Sequence, residues 1–477
     1  MTHRPIFIMG TSSGAGKTTV VMALCRILRE MGYSVAPFKA QNMSLNSGVG
    51  MGGEMAYAQV LQARACGKVP DVRMNPVLLK PEMDRTHVVI NGRYAGTYDG
   101  KDYMLMDKES IFKMVLEDFR YLLSNNDIII VEGAGSPAEI NLKNDIANIR
   151  LAREIGSKNI LVADIDRGGA FASIAGTVEL LGRDIFSGYI FNKFRGNEEL
   201  LEEGIRFLHE RYGLNHYGTI PYMDIGLPQE DSLWSWQGKG GKILVSIVRL
   251  PHISNSTDFH IFYRIRGVGI NFANSPEDLE RSDIVIIPGS KLTVNDLLYL
   301  RREGFEDKIN NLWRDGVPII GICGGYQMLG RYIIDNFESR LGKVVGMNIL
   351  DSKTEFTDEK IVSLVEGRFI NGPFKGEGAS GYEIHFGRSR SVHPLIAITR
   401  ENGKDVLRYD GEYGKNAFGT YMHDIFLNKG FTEKIINSIA DSKGLERIRV
   451  DYSLESDIEN IAREIGKHLK VDLILDP

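Results

Sequence analysis

Cysteine is scarce in this chain, which has only three in 477 residues, at positions 25, 66 and 323. Thiols so few and so far apart do not make a disulfide framework or a Cys-ligated metal site. This usage is typical of a reducing compartment, and we expect a cytoplasmic protein. Cys25 and Cys66 stand beside Leu and Ala in helical stretches, which predicts small core residues.

The chain also lacks a long apolar run and an excess of either charge. No uncharged stretch approaches about 18 apolar residues, and no apolar leader precedes the first predicted strand, so we expect no membrane span and no export signal. A net charge of −5 argues against a nucleic-acid-binding surface. With 43% hydrophobic and 25% charged residues, the composition is that of a folded protein long enough for two domains.

Short apolar runs alternate with helical patterns in both halves, which predicts an α/β fold built on parallel strands. In the first half the predicted strands are Ile6–Met9, Val35–Lys39, Ile128–Val131, Ile160–Asp164, Tyr189–Asn192 and Thr219–Pro221. In the second half they are Ile243–Val248, Ile284–Pro288, Pro318–Ile322 and shorter runs between Leu364 and Tyr421, a density that suggests a mixed sheet.

The glycine-rich segment Pro228–Lys242 breaks this alternation and predicts the domain boundary. We therefore predict a doubly wound parallel sheet over residues 1–235 and a second α/β domain with a mixed sheet over residues 242–435. A helical tail packed on the chain is predicted over residues 436–477, because apolar residues recur at helical spacing in Ile458–Leu469.

A phosphate-binding loop, GTSSGAGKT at positions 10–18, follows the first predicted strand. Thr11 takes the place of the usual first glycine, whereas Gly14 and Gly16 let backbone N–H groups turn towards phosphate oxygens. Lys17 can reach the terminal phosphates, and Thr18 is placed to ligate Mg²⁺. The strand before and the helix after the loop favour an ATP site over a chance glycine turn.

Other predicted strands bring polar residues to the same edge. Glu132 ends a buried strand and would complete the Mg²⁺ site, although acids at strand ends are also common structural residues. Lys39 ends the second strand and can stabilise a transferring phosphoryl group or a substrate carboxylate. Glu54, after the glycine-rich stretch Ser47–Gly53, is a candidate for a second Mg²⁺ ligand. That stretch predicts either a mobile lid or a plain connection.

The string TSSGAGKT resembles the variant phosphate loop of dethiobiotin synthetase and its relatives, which use ATP to activate small carboxylated substrates. By analogy with that family, Asn192 in the string FNKFR is expected to contact the adenine base. A strand-end Asn without a ligand is the alternative.

A second reactive site is predicted in VPIIGICGGYQMLG at positions 317–330, where a buried strand ends on Cys323 and turns into a helix. This pattern is typical of a nucleophile elbow, in which the following helix N-terminus favours the thiolate. His423, at the end of a later strand, is the candidate base. Backbone N–H groups near Gly289 and at Gly324 are candidates for an oxyanion hole.

PGS at 288–290, GICGGYQ at 321–327 and YMH at 421–423 together resemble the motif order of class I glutamine amidotransferases. Most of that class carries an orienting Glu two residues beyond the histidine, and here that position is Ile425. The resemblance therefore implies a Cys–His dyad, with the histidine positioned by other contacts. For His385 in SGYEIHFGR, three roles stay open: glutamine binding, shaping of the interface, and packing with a satisfied hydrogen bond.

Four longer strings resemble the cobyric acid synthase family: VAPFKAQNMSLN at 35–46, MNPVLLKP at 74–81, VADIDRGG at 162–169 and VRLPHISNSTDF at 248–259. The resemblance implies an enzyme that uses ATP and glutamine to amidate the b, d, e and g carboxylates of adenosylcobyrinic acid a,c-diamide, a corrinoid. It also implies substrate or phosphoryl contacts for Lys39, Gln41 and Asn42. A homo-oligomer is compatible with it.

Two other functions fit parts of the sequence. The a,c-diamide synthase shares both domain types, although the string KAQNM leans against it. A partitioning-type switch ATPase carries an additional lysine early in its phosphate loop, where this chain has Ser12. A thiol hydrolase on the same chain also argues against a switch.

Overall fold

The computed structural model describes residues 3–82, 85–99, 102, 106–141, 145–223 and 238–476. It divides the chain into two compact units. Unit 1 combines Met1–Ile225 with Leu454–Pro477, and unit 2 is Gly226–Ser453. The predicted boundary segment, Pro228–Lys242, lies mostly outside the described residues.

The region predicted as one C-terminal tail, 436–477, is divided between the units. Its first part continues the helix Lys429–Ser442 of unit 2, whereas the helices Leu454–Gly466 and Val471–Leu475 belong to unit 1. The chain thus returns to its first unit after completing the second.

Unit 1 is built on a parallel sheet whose described strands follow the order Asn215–Pro221, Phe186–Phe194, Lys158–Asp164, Ile6–Gly10, Ile128–Glu132 and Val35–Phe38. Their apolar residues are buried because helices cover the sheet. The helices of this unit include Lys17–Glu30, Tyr57–Ala65, Lys108–Ser124, Ile149–Ile155, Ala170–Leu181 and Glu202–Tyr212. The predicted α/β fold is confirmed.

A smaller sheet of unit 1 was not predicted. It contains Gln41–Met43, Val77–Glu82, Arg85–Ile90 and Arg93–Asp99, and beside it Ser47–Gly50 pairs with Gly53–Ala56 in a hairpin. The stretch Ser47–Gly53 is therefore part of a hairpin. Its glycines give no alternating apolar pattern, so the strands could not be predicted. Position 53 requires glycine, because its φ is 143° and a Cβ there would lie 2.3 Å from the carbonyl oxygen of Gly92.

The helix Leu454–Gly466 of unit 1 follows the predicted amphipathic pattern. Ile458, Ile461 and Ile465 are buried, and the Arg26 guanidinium on the helix Lys17–Glu30 donates a hydrogen bond to Glu455. This helix packs against the helix that begins at the phosphate loop.

Unit 2 contains a sheet in the order Val268–Ala273, Ile243–Val248, Ile284–Ile287, Ile319–Ile322, Ala417–Thr420 and Glu412–Tyr413, parallel except for the last pair. A second sheet contains Gly342–Val345, Tyr332–Asp335, Lys353–Phe369, Gly378–Arg390, Ile396–Glu401 and Lys404–Asp410, mostly antiparallel. A short ribbon pairs Ile253–Ser254 with Gly289–Ser290. The helices include Ile261–Arg264, Thr293–Arg302, Phe305–Arg314, Gly324–Leu329 and Lys429–Ser442.

The predicted combination of parallel strands and hairpins in the second half is confirmed. Among the described residues, no helix is both long and apolar enough to cross a membrane.

Candidate functional site

The phosphate loop connects the central strand of unit 1 to its first helix. Gly14 and Gly16 adopt left-handed conformations, with φ of 70° and 99°, that other residues rarely take. The Lys17 side chain turns back over the loop, where its ammonium group donates to the carbonyl oxygens of Ser12 (3.1 Å) and Gly135 (2.9 Å). The loop therefore holds a lysine charge where phosphates would bind.

Asn192 contacts this loop directly. Its Nδ2 donates to the carbonyl oxygen of Ala15 at 2.8 Å, and its Oδ1 accepts from the backbone N–H of Lys193. A Cβ on Gly16 would lie 2.0 Å from Asn192 Nδ2, so the close approach requires glycine. Thr11, at the other end of the loop, donates its N–H to Val162. The adenine contact of Asn192 stays a prediction.

Glu132 is the centre of the polar cluster beside the loop. Its buried carboxylate accepts hydrogen bonds from Thr18 Oγ1 (2.8 Å), Lys39 Nζ (2.8 Å) and Gln62 Nε2 (2.5 Å). Burial alone would raise the pKa of Glu132, but the Lys39 ammonium and these hydrogen bonds outweigh it and hold the pKa below its usual value. Glu132 is therefore charged at neutral pH.

The donor set at this edge fits Mg²⁺. The described residues contain no cluster of three or more His, Cys, Asp or Glu side chains able to hold a metal. Mg²⁺ commonly takes only one or two protein carboxylates and completes its shell with phosphates and water. Thr18 and Glu132, 2.8 Å apart beside the phosphate loop, match that need.

Two glutamines that the sequence analysis missed connect this cluster to the substrate candidates. Gln59 and Gln62 lie on the helix Tyr57–Ala65, and both side chains donate to Glu132. Gln59 also accepts from Asn42 Nδ2 at 2.7 Å. Gln41 precedes Asn42 in the same short strand. A sequence signal for these residues was available. Gln59 and Gln62 are spaced i, i+3, which places both side chains on one face of a helix.

Glu54 has a lysine partner. Lys80 Nζ lies 2.6 Å from Glu54 Oε1 and 2.8 Å from Ser47 Oγ, and the lysine and glutamate are both buried. The ammonium neutralises the carboxylate, so the proposed Mg²⁺ role for Glu54 requires this pair to separate. That role stays a prediction.

Cys323 lies on a sharp turn between the strand Ile319–Ile322 and the helix Gly324–Leu329. Its φ of 50° and ψ of −106° are unusual for a residue with a side chain, a strain that often marks reactive positions. The turn needs small residues behind it, because a Cβ on Gly325 would lie 2.0 Å from the carbonyl oxygen of Ile287. The geometry is that of a nucleophile elbow.

His423 Nδ1 lies 2.7 Å from the Asp258 carboxylate. Burial alone would lower the pKa of His423, but Asp258 and Cys323 outweigh it and raise the pKa to about 10. Asp258 also accepts the backbone N–H of Asp424 at 2.8 Å. The Asp258 carboxylate thus holds the imidazole at Nδ1, and the charged form of His423 is favoured.

Asp258 is the main residue that the sequence analysis did not assign. It lies in the string at 248–259 that carried the family resemblance, where an acidic residue among Asn, Ser and Thr was the available signal. Ile425, at the position of the orienting Glu in the class I amidotransferase motif, is a fully buried apolar residue. The contact that positions the histidine therefore comes from a distant segment.

The oxyanion candidates lie beside these residues. A Cβ on Gly289 would be 3.4 Å from His423 Cε1, and a Cβ on Gly324 would be 2.9 Å from the backbone nitrogen of Ser290. The strand Gly289–Ser290 thus touches both the histidine and the elbow. The atom nearest to a Cβ placed on Gly324 is the backbone nitrogen of Ser290, which the sequence analysis did not single out.

His385 is held by packing. Its ring stacks on Tyr421 with centroids 3.7 Å apart, and its Nδ1 is 2.6 Å from the carbonyl oxygen of Gly387. The same strand passes Cys323, whose thiol lies 3.6 Å from the carbonyl oxygen of Ile384. The role of His385 stays a prediction.

Comparison with known proteins matches both units. Residues 6–231 match the CobQ/CobB/MinD/ParA nucleotide binding domain, and residues 244–431 match the CobB/CobQ-like glutamine amidotransferase domain. A solved structure of PurLQS from Thermotoga maritima covers 47% of this chain and 99% of its own, with a TM-score of 0.31 and 18% identity, which is too distant to carry an argument.

Curated relatives extend over almost the whole chain. Probable cobyric acid synthases from Thermococcus gammatolerans and Thermococcus onnurineus are each 47% identical, covering 99% of this chain and 99% and 98% of their own. The cobyric acid synthase of Clostridium acetobutylicum is 45% identical over 93% of this chain and 91% of its own. The resemblance seen in the sequence strings is confirmed, and the chain belongs to the cobyric acid synthase family.

Proposed function

We propose that this chain is an ATP- and glutamine-dependent ligase that amidates the b, d, e and g carboxylates of adenosylcobyrinic acid a,c-diamide, giving adenosylcobyric acid. The observation that carries the proposal is that one chain of this family combines a phosphate loop beside Glu132 with the Cys323–His423–Asp258 group. Activation of a carboxylate and release of ammonia from glutamine need these two kinds of site.

In unit 2, the Cys323 thiolate attacks the carboxamide carbon of glutamine, and the carbonyl oxygen becomes an oxyanion. Backbone N–H groups of Gly324 and of the strand Gly289–Ser290 stabilise that charge. His423, charged beside Asp258, donates its proton to the leaving nitrogen, which departs as ammonia. It then accepts a proton from the water that hydrolyses the thioester to glutamate.

In unit 1, the carboxylate of the corrinoid attacks the terminal phosphorus of ATP, which gives an acyl phosphate and ADP. Ammonia then attacks the acyl carbon, and phosphate leaves. Lys17 and Lys39 neutralise charge during the transfer, a step that depends mainly on positioning and electrostatics. Mg²⁺, held by Thr18 and Glu132, would add further charge neutralisation at the phosphates.

The ion pair between Lys39 and Glu132 supports this assignment. With both groups buried and 2.8 Å apart, the pair keeps an ammonium and a carboxylate charged beside the phosphate loop. Binding of a metal by Glu132 would release Lys39 towards the phosphoryl group or the substrate carboxylate. The ion pair between Lys39 and Glu132 thus keeps both charged groups that phosphoryl transfer needs beside the phosphate loop.

The proposal is tested with the purified chain, glutamine, MgATP and single corrinoid acids, followed by product mass. Each amidation replaces OH by NH₂, so the mass counts the amidations. We expect the a,c-diamide to gain four amides. Conversion of cobyrinic acid at its a and c positions instead would identify an a,c-diamide synthase. Turnover of ATP with no change in any corrinoid would contradict the ligase function.

A further inference from the structure

A second buried carboxylate of unit 2 is hydrogen-bonded to the oxyanion strand Gly289–Ser290. Asp296, on the helix Thr293–Arg302, is completely buried. It accepts hydrogen bonds from Ser290 Oγ (2.6 Å) and from the backbone N–H of His252 (3.3 Å), and its Oδ1 lies 2.7 Å from His252 Nδ1. The chemistry at Cys323 described above does not use this cluster.

Of the partners of Asp296, Ser290 belongs to one strand of the short ribbon and His252 directly precedes the other strand, Ile253–Ser254. Ser290 pairs with Ile253, and Gly289 pairs with Ser254 in antiparallel register. The next backbone pair is closed by the N–H of Lys291, which donates to the carbonyl oxygen of His252 at 2.9 Å. One buried carboxylate thus anchors both strands of the ribbon at the same end.

The same register decides where the Ser290 N–H points. In an antiparallel ladder, hydrogen-bonded and non-hydrogen-bonded pairs alternate. Because Lys291 and His252 share a backbone hydrogen bond, the neighbouring pair of Ser290 and Ile253 is the non-bonded kind. The Ser290 N–H therefore points away from the partner strand, in agreement with the 2.9 Å between its nitrogen and a Cβ placed on Gly324.

A buried carboxylate is costly unless it is fully hydrogen-bonded, and removing a partner leaves a charge without compensation. Asp296 therefore holds the hydroxyl of Ser290 and the backbone of His252 in one geometry. The Ser290 hydroxyl also accepts the N–H of Leu292 at 3.0 Å, which fixes the turn that follows the strand. Rotation of the Ser290 peptide would require these bonds to break.

We infer that Asp296 is a positioning residue of the oxyanion hole. Acting through Ser290 Oγ and His252, it keeps the strand Gly289–Ser290 in the register that directs a backbone N–H at the developing oxyanion. This inference rests on the proposed role of Cys323 as the nucleophile. It adds a residue that touches neither the thiol nor the glutamine.

The test separates the oxyanion hole from the reactivity of the thiol. Glutamine hydrolysis develops an oxyanion, whereas alkylation of Cys323 by iodoacetamide is a displacement at a saturated carbon and develops none. In Asp296→Asn, kcat for glutamine hydrolysis should fall about a hundredfold, the size of effect that misplacement by about 1 Å produces. KM should change by less than about threefold, because the variant removes no contact that binds the substrate and the transition state equally. The alkylation rate should stay near that of the wild type.

Ser290→Ala is a second variant that removes only the connecting hydroxyl. Its kcat should also fall, and the double variant with Asp296→Asn should be no worse than the more impaired single variant, since the Ser290 hydroxyl acts through its bond to Asp296. Asp283→Asn is the matched control. That carboxylate accepts the N–H of Leu244 at the opposite end of the strand Ile284–Ile287, so its loss should leave kcat near the wild-type value.

An unchanged kcat in both Asp296→Asn and Ser290→Ala would overturn the inference. So would a parallel fall of kcat and alkylation rate, since that pattern marks a disturbed thiol or a disturbed fold. Failure of the proposed function is a different result, in which Cys323→Ala still hydrolyses glutamine. If Asp296→Asn does not fold, Ser290→Ala alone decides, with thermal denaturation as the check on folding.

Discussion

The Asp258→Asn variant tests the contact that replaces the missing orienting Glu. Asn has nearly the same size as Asp, and its Oδ1 can still accept the backbone N–H of Asp424. What disappears is the negative charge 2.7 Å from His423 Nδ1. The imidazolium then loses its main stabilising neighbour, and the amide no longer selects the tautomer that can accept the thiol proton.

The magnitude follows from the pKa of the histidine. A rise from 6.5 to about 10 corresponds to about 5 kcal/mol of preferential stabilisation of the imidazolium. Asp258 is the strongest contributor to the rise, and Cys323 supplies the remainder. If roughly 3 kcal/mol is lost with the carboxylate, kcat/KM for glutamine hydrolysis should fall by at least about 10²-fold.

The assay is steady-state release of ammonia from glutamine, with amidation driven by ammonium salts as the control for the synthetase unit. That second activity should be unchanged in Asp258→Asn. The rate of iodoacetamide alkylation of Cys323 should also fall, unlike in Asp296→Asn. Glutamine hydrolysis within about threefold of the wild type would refute the orienting role of Asp258.

Four further outcomes are expected. Cys323→Ala should lose glutamine-dependent amidation and keep amidation with ammonium salts, whereas normal glutamine hydrolysis would exclude Cys323 as the nucleophile. Lys17→Ala should lose amidation with either nitrogen source, and unchanged ammonia-dependent synthesis would exclude the phosphate loop as the synthetase site. Ile425→Ala should disturb only packing and leave glutamine hydrolysis within about tenfold, or roughly 1.4 kcal/mol of barrier, whereas His423→Ala should lose far more; near-normal turnover in His423→Ala would remove the base. Because the pKa of His423 is raised to about 10 in the fold, its contribution to stability is complete below pH 6.5 and is lost as the pH rises through 10. Denaturant titrations across that range should show a smaller decline for His423→Gln than for the wild type, and equal slopes would contradict the raised pKa.

The parallel strands could be predicted because their signal is local. A run such as Ile128–Val131 is apolar, short and bounded by polar or turn residues, which suffices to predict a strand buried on both faces. The small sheet of unit 1 escaped prediction for the same reason, since strands such as Gln41–Met43 mix polar and apolar residues without a clear period. These strands form because their residues pack against neighbouring strands, which the local sequence does not reveal.

The reactive residues that stand on strand-to-helix turns were also readable. Lys17 follows Gly14 and Gly16, Cys323 lies between Gly321 and Gly324, and each pattern lies within ten residues of sequence. The backbone conformation of these turns depends on their glycines, which other residues cannot easily replace. The sequence by itself therefore determined the two chemistries of this protein, phosphate binding and thiol catalysis.

Only the tertiary structure decided which residues support those chemistries. Asp258 is 165 positions from His423 along the chain, and Gln62 is 70 positions from Glu132. Such partners carry no periodic or local mark, because hydrogen bonds over such separations depend on where separate strands and helices meet. Ile425 stands where the class I amidotransferase motif has an orienting Glu, and the fold instead brings the Asp258 carboxylate to 2.7 Å from His423 Nδ1. The orientation of an imidazole depends on the distance and charge of its partner, which a distant segment can supply.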